Sequence, residues 1–422
     1  MKVLVVGSGA REHALVWKLA RETSVERVIC APGNPGIEDI ASCQAIDSMA
    51  VPALVELARR ERIDLTVVGP EQPLERGIAD AFATAGLPLF GPTQSAARLE
   101  TSKAFAKQFM MRHGIPTARG IICRKPGEAN DAVAELGLPV AIKADGLAAG
   151  KGVTIATDHE TARVAIAAAM VSHQFGEAGR TLVVEEFLSG TEVSCFALCD
   201  GERALPLVAA QDHKRLFDHD RGPNTGGMGA FAPSPLVTEE VQGTVTRTIV
   251  RRVVEGMAHE GTPFRGVLYC GLMLTAEGPK VVEFNVRLGD PEAQVILPLM
   301  EADLAPLMRD AAAGELSATA VPVKSGVQVG VVLASRGYPG QAEVGLPISG
   351  VEYPPGDILV FHAGTRHAGG RIVTAGGRVL TVVAGGPDFS TAIQQVYEGV
   401  GQISFPGMQW RRDIGRKALA GT

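Results

Sequence analysis

The sequence predicts a multidomain protein of mixed α/β and α+β class. Its 422 residues exceed what one hydrophobic core organises and suffice for about three or four ordinary domains. Hydrophobic residues make up 46% but aromatics only 5%, a balance that suits Ala/Val/Leu-rich α/β layers rather than an aromatic-lined binding module. Strand and helix patterns alternate through residues 1–100, as in an open parallel sheet with ligand loops at its carboxyl edge.

The elements follow in order. KVLVVG is a short apolar strand, and a helical pattern runs from Glu12 to Arg21. VERVICAPGNPG is a second strand ending in a Gly/Pro turn. DLTVVGPEQPL and LPLFGPT continue the series, separated by the helical stretches PALVELARRER and ERGIADAFATAG. A helix from Thr93 to His113 leads into a central region, 101–120 plus 189–325. Between its halves, 121–188 reads as a small α+β unit: LPVAIKA, GVTIA and TLVVEEFL around one helix, Asp158 to Val171. The central region continues with TEVSCFALC and LPLVAAQDH, a Gly-rich loop, a helix from Thr238 to Glu260, and the pair GVLYCGLMLT and PKVVEFNVR. Residues 326–422 form a β-rich tail (GVQVGVVLAS, DILVFHAGT, RVLTVVAGG) with a terminal helix.

A net charge of −6 argues against a nucleic-acid partner held by bulk electrostatics, so any phosphate binding must be local. No apolar run approaches the length of a membrane span, and MKVLVVGSG reads as a strand start rather than a signal peptide. Cys30, Cys43, Cys123, Cys195, Cys199 and Cys270 are scattered without a CxxC pair, as expected of reduced core thiols in a cytoplasmic protein.

Three stretches carry chemistry. VLVVGSGAREHA begins like a dinucleotide fingerprint, but Glu12 stands where the third glycine belongs, and no carboxylate follows the second strand to read a ribose. Gly9 and Arg11 at a helix start suit a phosphate monoester instead, with Asn34 in GNPG along the same sheet edge. A tight strand-to-helix turn with no ligand competes with that reading. KADGLAAGKGVTIA has open backbone amides and two lysines, so it can fold over phosphates, although a plain hairpin turn explains it equally well. It is not a P-loop, because Gly152 follows Lys151. Downstream, KVVEFNVRLGDPEAQ puts Glu283, Asn285 and Arg287 at period-two spacing, a hard-oxygen set that suits Mg²⁺ on nucleotide phosphates. The adjacent Glu185 and Glu186 end a strand, where paired carboxylates are usually solvated.

The ordered set of Gly-rich lysine loop, VEEFLSGTE and EFNVR resembles the ATP-grasp superfamily of carboxylate–amine ligases. Within it, GSGAREHA, GNPG, GPEQPL, AQDHKR, GPNTGGMGAF and RLGDPEAQ resemble the phosphoribosylamine–glycine ligase family across essentially the whole chain. Ala10 and Thr101 depart from the family pattern, and neither removes a charged group. The resemblance implies an ATP-grasp fold, preceded by the open parallel domain and followed by the β-rich one. It implies that ATP phosphorylates the glycine carboxylate and that 5-phosphoribosylamine then attacks the acyl phosphate, the second step of purine synthesis. By position, Lys103, Lys143 and Lys151 would meet the ATP phosphates. Glu185, Glu186 and Leu188 would form the adenine hinge, and Glu192 would hold the ribose hydroxyls. Glu283 and Asn285 would bind Mg²⁺ or Mn²⁺, and Arg287 and Asp290 would face glycine and the acyl phosphate. Asp212, Lys214 and the loop Pro223, Asn224, Thr225, Gly226, Gly227 and Met228 would line the glycine and ribosylamine side. The partners implied are small molecules, with room for a transient contact with the enzyme that supplies phosphoribosylamine. The rivals are a dehydrogenase, disfavoured by Glu12, a nucleotide sensor, disfavoured by Glu283 and Asn285, and a sister ATP-grasp enzyme, disfavoured by RLGDPEAQ and GPNTGGMG.

Overall fold

The structure is a computed structural model that describes residues 1–147, 152–351 and 356–419. Strands Ser42–Cys43, Arg27–Pro32, Lys2–Gly7, Leu65–Val68 and Leu89–Phe90 lie side by side in that order, all parallel. Lys2–Gly7 is the central strand. Leu4 and Val6 enter one core and Val3 and Val5 another, so both faces are buried and the run is almost wholly apolar. The chain leaves this strand in opposite directions toward its two neighbours, which places Gly7 to Gly9 at the topological switch point. Gly7 has φ +129°, and a Cβ there would meet Glu12 Cγ at 2.6 Å, so only glycine serves.

The expected helix from Thr93 to His113 is two helices, Gln94–Thr101 and Lys103–Arg112. Ser102 breaks it: its backbone is extended, and its hydroxyl accepts from Phe105 N as the N-cap of the second helix.

Between the central segments sits an antiparallel sheet ordered Gly120–Cys123, Leu182–Glu186, Val140–Ala144, Val153–Ala156. It carries two helices rather than the one expected, Pro126–Leu136 and His159–Met170, packed on a shared core. The larger antiparallel sheet runs Ala204–Pro206, Thr191–Asp200, Arg265–Thr275, Gly278–Asn285. A bulge pairs Gly271 with Glu283 but Leu272 with Val281, which leaves Val282 as the extra residue. The helical stretch after Thr238 is continuous but holds a π-helical turn, Thr246–Val250, between Glu239–Val245 and Arg251–His259.

The tail sheet is not made of tail residues alone. Its order is Gln211–Asp212, Gly229–Ala232, Val327–Ala334, Arg378–Gly386, Leu359–His362, so two strands come from the central segment. This shared sheet brings Asp212 and the 223–228 loop against the tail. No helix among the described residues is long and apolar enough to cross a membrane.

Candidate functional site

The residues of the nucleotide-type reading converge at one end of the two antiparallel sheets. Lys103 opens helix Lys103–Arg112, and its Nζ donates to Gly146 O at 3.0 Å. Asp145 accepts from Ser102 Oγ and Ala104 N, which pins the start of the glycine loop to this helix terminus. Lys151 lies outside the described residues.

Lys143 is buried on strand Val140–Ala144. Its Nζ is 2.6 Å from Glu185 Oε2 and donates to Val282 O, the carbonyl freed by the bulge, at 2.9 Å. The other Glu185 oxygen lies 3.0 Å from Lys107 Nζ, which also donates to Thr117 Oγ1 and Ala118 O. Burial alone would raise the Glu185 pKa, but Lys143 and Lys107 outweigh it and hold the carboxyl below its ordinary value. The Glu185 side chain is therefore a clamp on two lysines rather than a solvated strand end. Glu186 bonds Arg119 through Oε1 and Oε2, and its N–H donates to Arg119 O. Phe187 and Leu188 lie past the end of strand Leu182–Glu186, and their main-chain groups have no hydrogen-bond partner among the described residues.

Glu283 and Asn285 project from the last strand of the larger sheet. The Glu283 side chain has no hydrogen bond or ion pair with any described residue, yet burial, which would raise its pKa, loses to Lys214, Lys103, Lys143 and Arg287. Its carboxylate is held ionised and unpaired among four cations. Lys214 lies 2.9 Å from Glu192 Oε2. Burial disfavours charge on Lys214, but Asp212, Glu192 and Glu283 outweigh it and keep the ammonium protonated. Burial pushes Asp212 up to about 7, against the pull of Lys214 and with the push of Glu292, Glu192 and Glu283. Asn285 Oδ1 accepts from Arg287 Nη2 at 3.2 Å, and Arg287 also reaches Glu100 at 2.8 Å and Glu71 at 3.2 Å. No group of three or more His, Cys, Asp or Glu able to hold a metal exists among the described residues. The protein offers two hard oxygens, which fits an ion that completes its shell with phosphates and water and not one caged by protein alone.

The proposed phosphate-monoester residues are otherwise engaged. Arg11 is not free at the helix start: Nε donates to Glu12 Oε1 at 2.6 Å and Nη1 to Leu288 O at 3.2 Å, with the residue 7% exposed. Glu12 Oε2 in turn accepts from Gly9 N. Asn34 caps a short helix through Ile37 N and donates to Ser8 O and His362 O. These contacts brace the loop from within. A Cβ on Gly9 would lie 3.7 Å from Asp290 Oδ2, so this loop does border the RLGD segment.

In the 223–228 loop, Pro223 and Asn224 are exposed and Thr225 is buried, its hydroxyl donating to Lys214 O. Gly227 abuts Pro291 and Asp290, and Gly226 is joined to Asp290 through Arg378. Met228 is fully buried beside Leu216 and Ala334, which makes it packing and not lining. Sequence reasoning missed Lys107, Glu71, Glu100, Glu292 and Arg378. Lys107 follows Lys103 by one helical turn, and Glu71 and Glu292 stand inside quoted motifs, so signals existed. Glu100 and Arg378 had none.

Three family models match the chain: the phosphoribosylglycinamide synthetase N domain over 1–100, its ATP-grasp (A) domain over 101–293 and its C domain over 328–417. A phosphoribosylamine–glycine ligase of Allochromatium vinosum is 49% identical over 100% of this chain and 99% of that protein. The crystal structure of the Thermotoga maritima phosphoribosylamine–glycine ligase superposes with TM-score 0.85 at 34% identity, covering 98% of this chain and 100% of that one. The biotin carboxylase domain of Hydrogenobacter thermophilus 2-oxoglutarate carboxylase shares the fold, with TM-score 0.76 at 19% identity over 97% of this chain and 91% of that one.

Proposed function

The chain belongs to the phosphoribosylglycinamide synthetase family, and on that premise we propose how its site works. It is an ATP-dependent carbon–nitrogen ligase of purine biosynthesis that joins glycine to 5-phosphoribosylamine. In the proposed course, a glycine carboxylate oxygen attacks the γ-phosphorus of ATP, the bond to ADP breaks, and glycyl phosphate forms. The amine nitrogen of phosphoribosylamine then attacks the carbonyl carbon, loses a proton and expels phosphate, which leaves glycinamide ribonucleotide.

Neither step calls for a protein nucleophile. Both call for in-line placement and neutralised phosphate charge. The observation that carries this reading is that the Glu283 carboxylate forms no ion pair among the described residues while Lys214, Lys103, Lys143 and Arg287 together hold its pKa below the ordinary value. Lys103 and Lys143 would face the phosphates, and Lys151 would join them. Glu283 and Asn285 would hold Mg²⁺ or Mn²⁺, which would supply positive charge against the phosphates. Arg287, fixed by Glu71, Glu100, Asn285 Oδ1 and Leu288 O, would present to the glycine carboxylate the Nη1 proton that has no acceptor among the described residues. Glu192 would exchange Lys214 for ribose hydroxyls.

Oxygen-18 placed in the glycine carboxylate should appear in the released phosphate, and ADP release should require both glycine and freshly made phosphoribosylamine. Turnover that leaves the phosphate unlabelled would exclude the acyl phosphate.

A further inference from the structure

We infer that the tail completes the substrate side of this site through Arg378 and Tyr338, two positioning residues that hold Asp290 and the Gly226 peptide in one fixed arrangement. The inference rests on the ligase reading above and adds to it residues from a part of the chain to which that reading gives no role.

Arg378 begins the strand Arg378–Gly386 of the tail sheet. Its Nη1 donates to Gly226 O at 2.6 Å and to Asp290 O at 2.7 Å, and its Nη2 reaches Asp290 Oδ2 at 3.1 Å. One planar fork thus ties the RLGD segment to the GPNTGG loop. Tyr338 secures the other side of the same peptide: Gly226 N donates to its hydroxyl at 2.8 Å. Both polar groups of Gly226 are therefore bound by the tail.

The packing leaves no slack. A Cβ on Gly226 would meet Arg378 Cζ at 3.2 Å and Tyr338 Oη at 3.3 Å. A Cβ on Gly377 would strike the Tyr338 ring at 2.3 Å, so the ring can lie over that backbone only because the residue before Arg378 has no side chain. The neighbouring Gly227 rests in the same way on Pro291.

What is held has chemical content. Asp290 is ionised, because burial, which would raise its pKa, is outweighed by Arg378 and Arg11. Gln294 Nε2 donates to Oδ1 at 2.7 Å while Arg378 takes Oδ2, so the carboxylate plane is fixed from both ends. The Gly9 loop borders Oδ2. Each oxygen keeps acceptor capacity, and an amine or ammonium is the group that such a fixed anion recognises. Both glycine and phosphoribosylamine carry one. Arg378 itself keeps Nε and one Nη2 proton without an acceptor among the described residues, and its side chain is 23% exposed. A brace serving stability alone would be expected to spend them.

The test is kinetic and uses the full chain. Arg378→Ala should lower kcat/KM for glycine and for phosphoribosylamine by about 10- to 100-fold, the range of a lost charge-assisted bond, while KM for ATP stays within about twofold. Arg378→Lys keeps the charge but not the fork, so it should fold with the KM for ATP of the parent yet remain about tenfold down on glycine and phosphoribosylamine. Tyr338→Phe, which removes one oxygen, should cost about threefold or more on the same two substrates and decides the matter if Arg378→Ala does not fold. Equal losses for all three substrates, full recovery by lysine, or a Tyr338→Phe enzyme indistinguishable from the parent would each overturn the inference. Absence of glycine- and amine-dependent ADP release in the parent enzyme would instead mark failure of the ligase reading itself.

Discussion

Glu185→Gln isolates the buried charge triad with almost no change of shape. Lys107 is 1% exposed and Lys143 6%, and the two ammonium groups share one carboxylate at 3.0 and 2.6 Å. Removing one member of a buried pair costs about 3–5 kcal/mol, because the remaining charge is left uncompensated. Neutral acceptors soften the loss here: Lys107 keeps Thr117 Oγ1 and Ala118 O, and Lys143 keeps Val282 O. The expected penalty near neutral pH is therefore at the lower end, about 3 kcal/mol, read as a shift in urea midpoint. Burial already sets the Lys107 pKa below its ordinary value despite Glu185, so the variant should recover part of its stability in alkaline buffer, where Lys107 sheds its proton. In the parent, the folded Glu185 pKa lies below its unfolded value of 4.5, so its contribution is complete above 4.5 and fades as pH falls through the folded value. The replacement Lys107→Met in the Glu185→Gln background should restore part of the midpoint. A single variant within about 0.5 kcal/mol of the parent, with the same alkaline profile, would refute the idea that this triad is held by mutual charge.

Glu283→Ala should reduce turnover by several orders of magnitude while leaving the thermal midpoint near the parent's, since the carboxylate forms no ion pair or hydrogen bond among the described residues; near-normal turnover rejects the metal assignment. Arg11→Ala should cost about 3 kcal/mol of stability by leaving the buried Glu12 carboxylate without its guanidinium, and an unchanged midpoint with selectively weakened phosphoribosylamine would return Arg11 to the phosphate site. His13 and His362 are buried where the first domain meets the tail, and His362 N donates to His13 Nδ1 at 2.8 Å. Burial brings His13 down to about 3 and His362 to about 4, from 6.5 when unfolded. The unfolded chain thus takes up more protons below 6.5, and stability falls by about 2 kcal/mol per histidine by pH 5. Acidification to pH 5 should lower the thermal midpoint less in His13→Gln than in the parent; identical pH profiles would show that His13 titrates normally.

Groups close together in the chain were read well, because a strand's two-residue period carries them to one face without further information. The apolar core strand KVLVVG is of this kind, and so are Glu283 and Asn285 on strand Gly278–Asn285, whereas Arg287 stands two residues past that strand's end and returns to Asn285 through a side-chain hydrogen bond. Ser102 was just as local: a capping residue after Thr101 signals a break, and a helix pattern spanning twenty residues concealed it. The small-unit helix Pro126–Leu136 had a proline start, but its alanines and acidic residues presented only a faint apolar stripe. Partnerships across the chain were a different matter. Glu185 meets Lys107 and Lys143 from two other elements, and the tail sheet borrows strands more than ninety residues upstream, so no window of sequence contains either pairing. Arg11 shows the same limit at the shortest range. A guanidinium beside a glycine turn at a helix start suggests a phosphate, yet the residue next to it is an acid. Whether Arg11 turns outward to a ligand or inward to Glu12 depends on burial: once the helix packs that corner away from water, an unpaired Glu12 would cost more than a phosphate contact is worth, and the inward pairing wins.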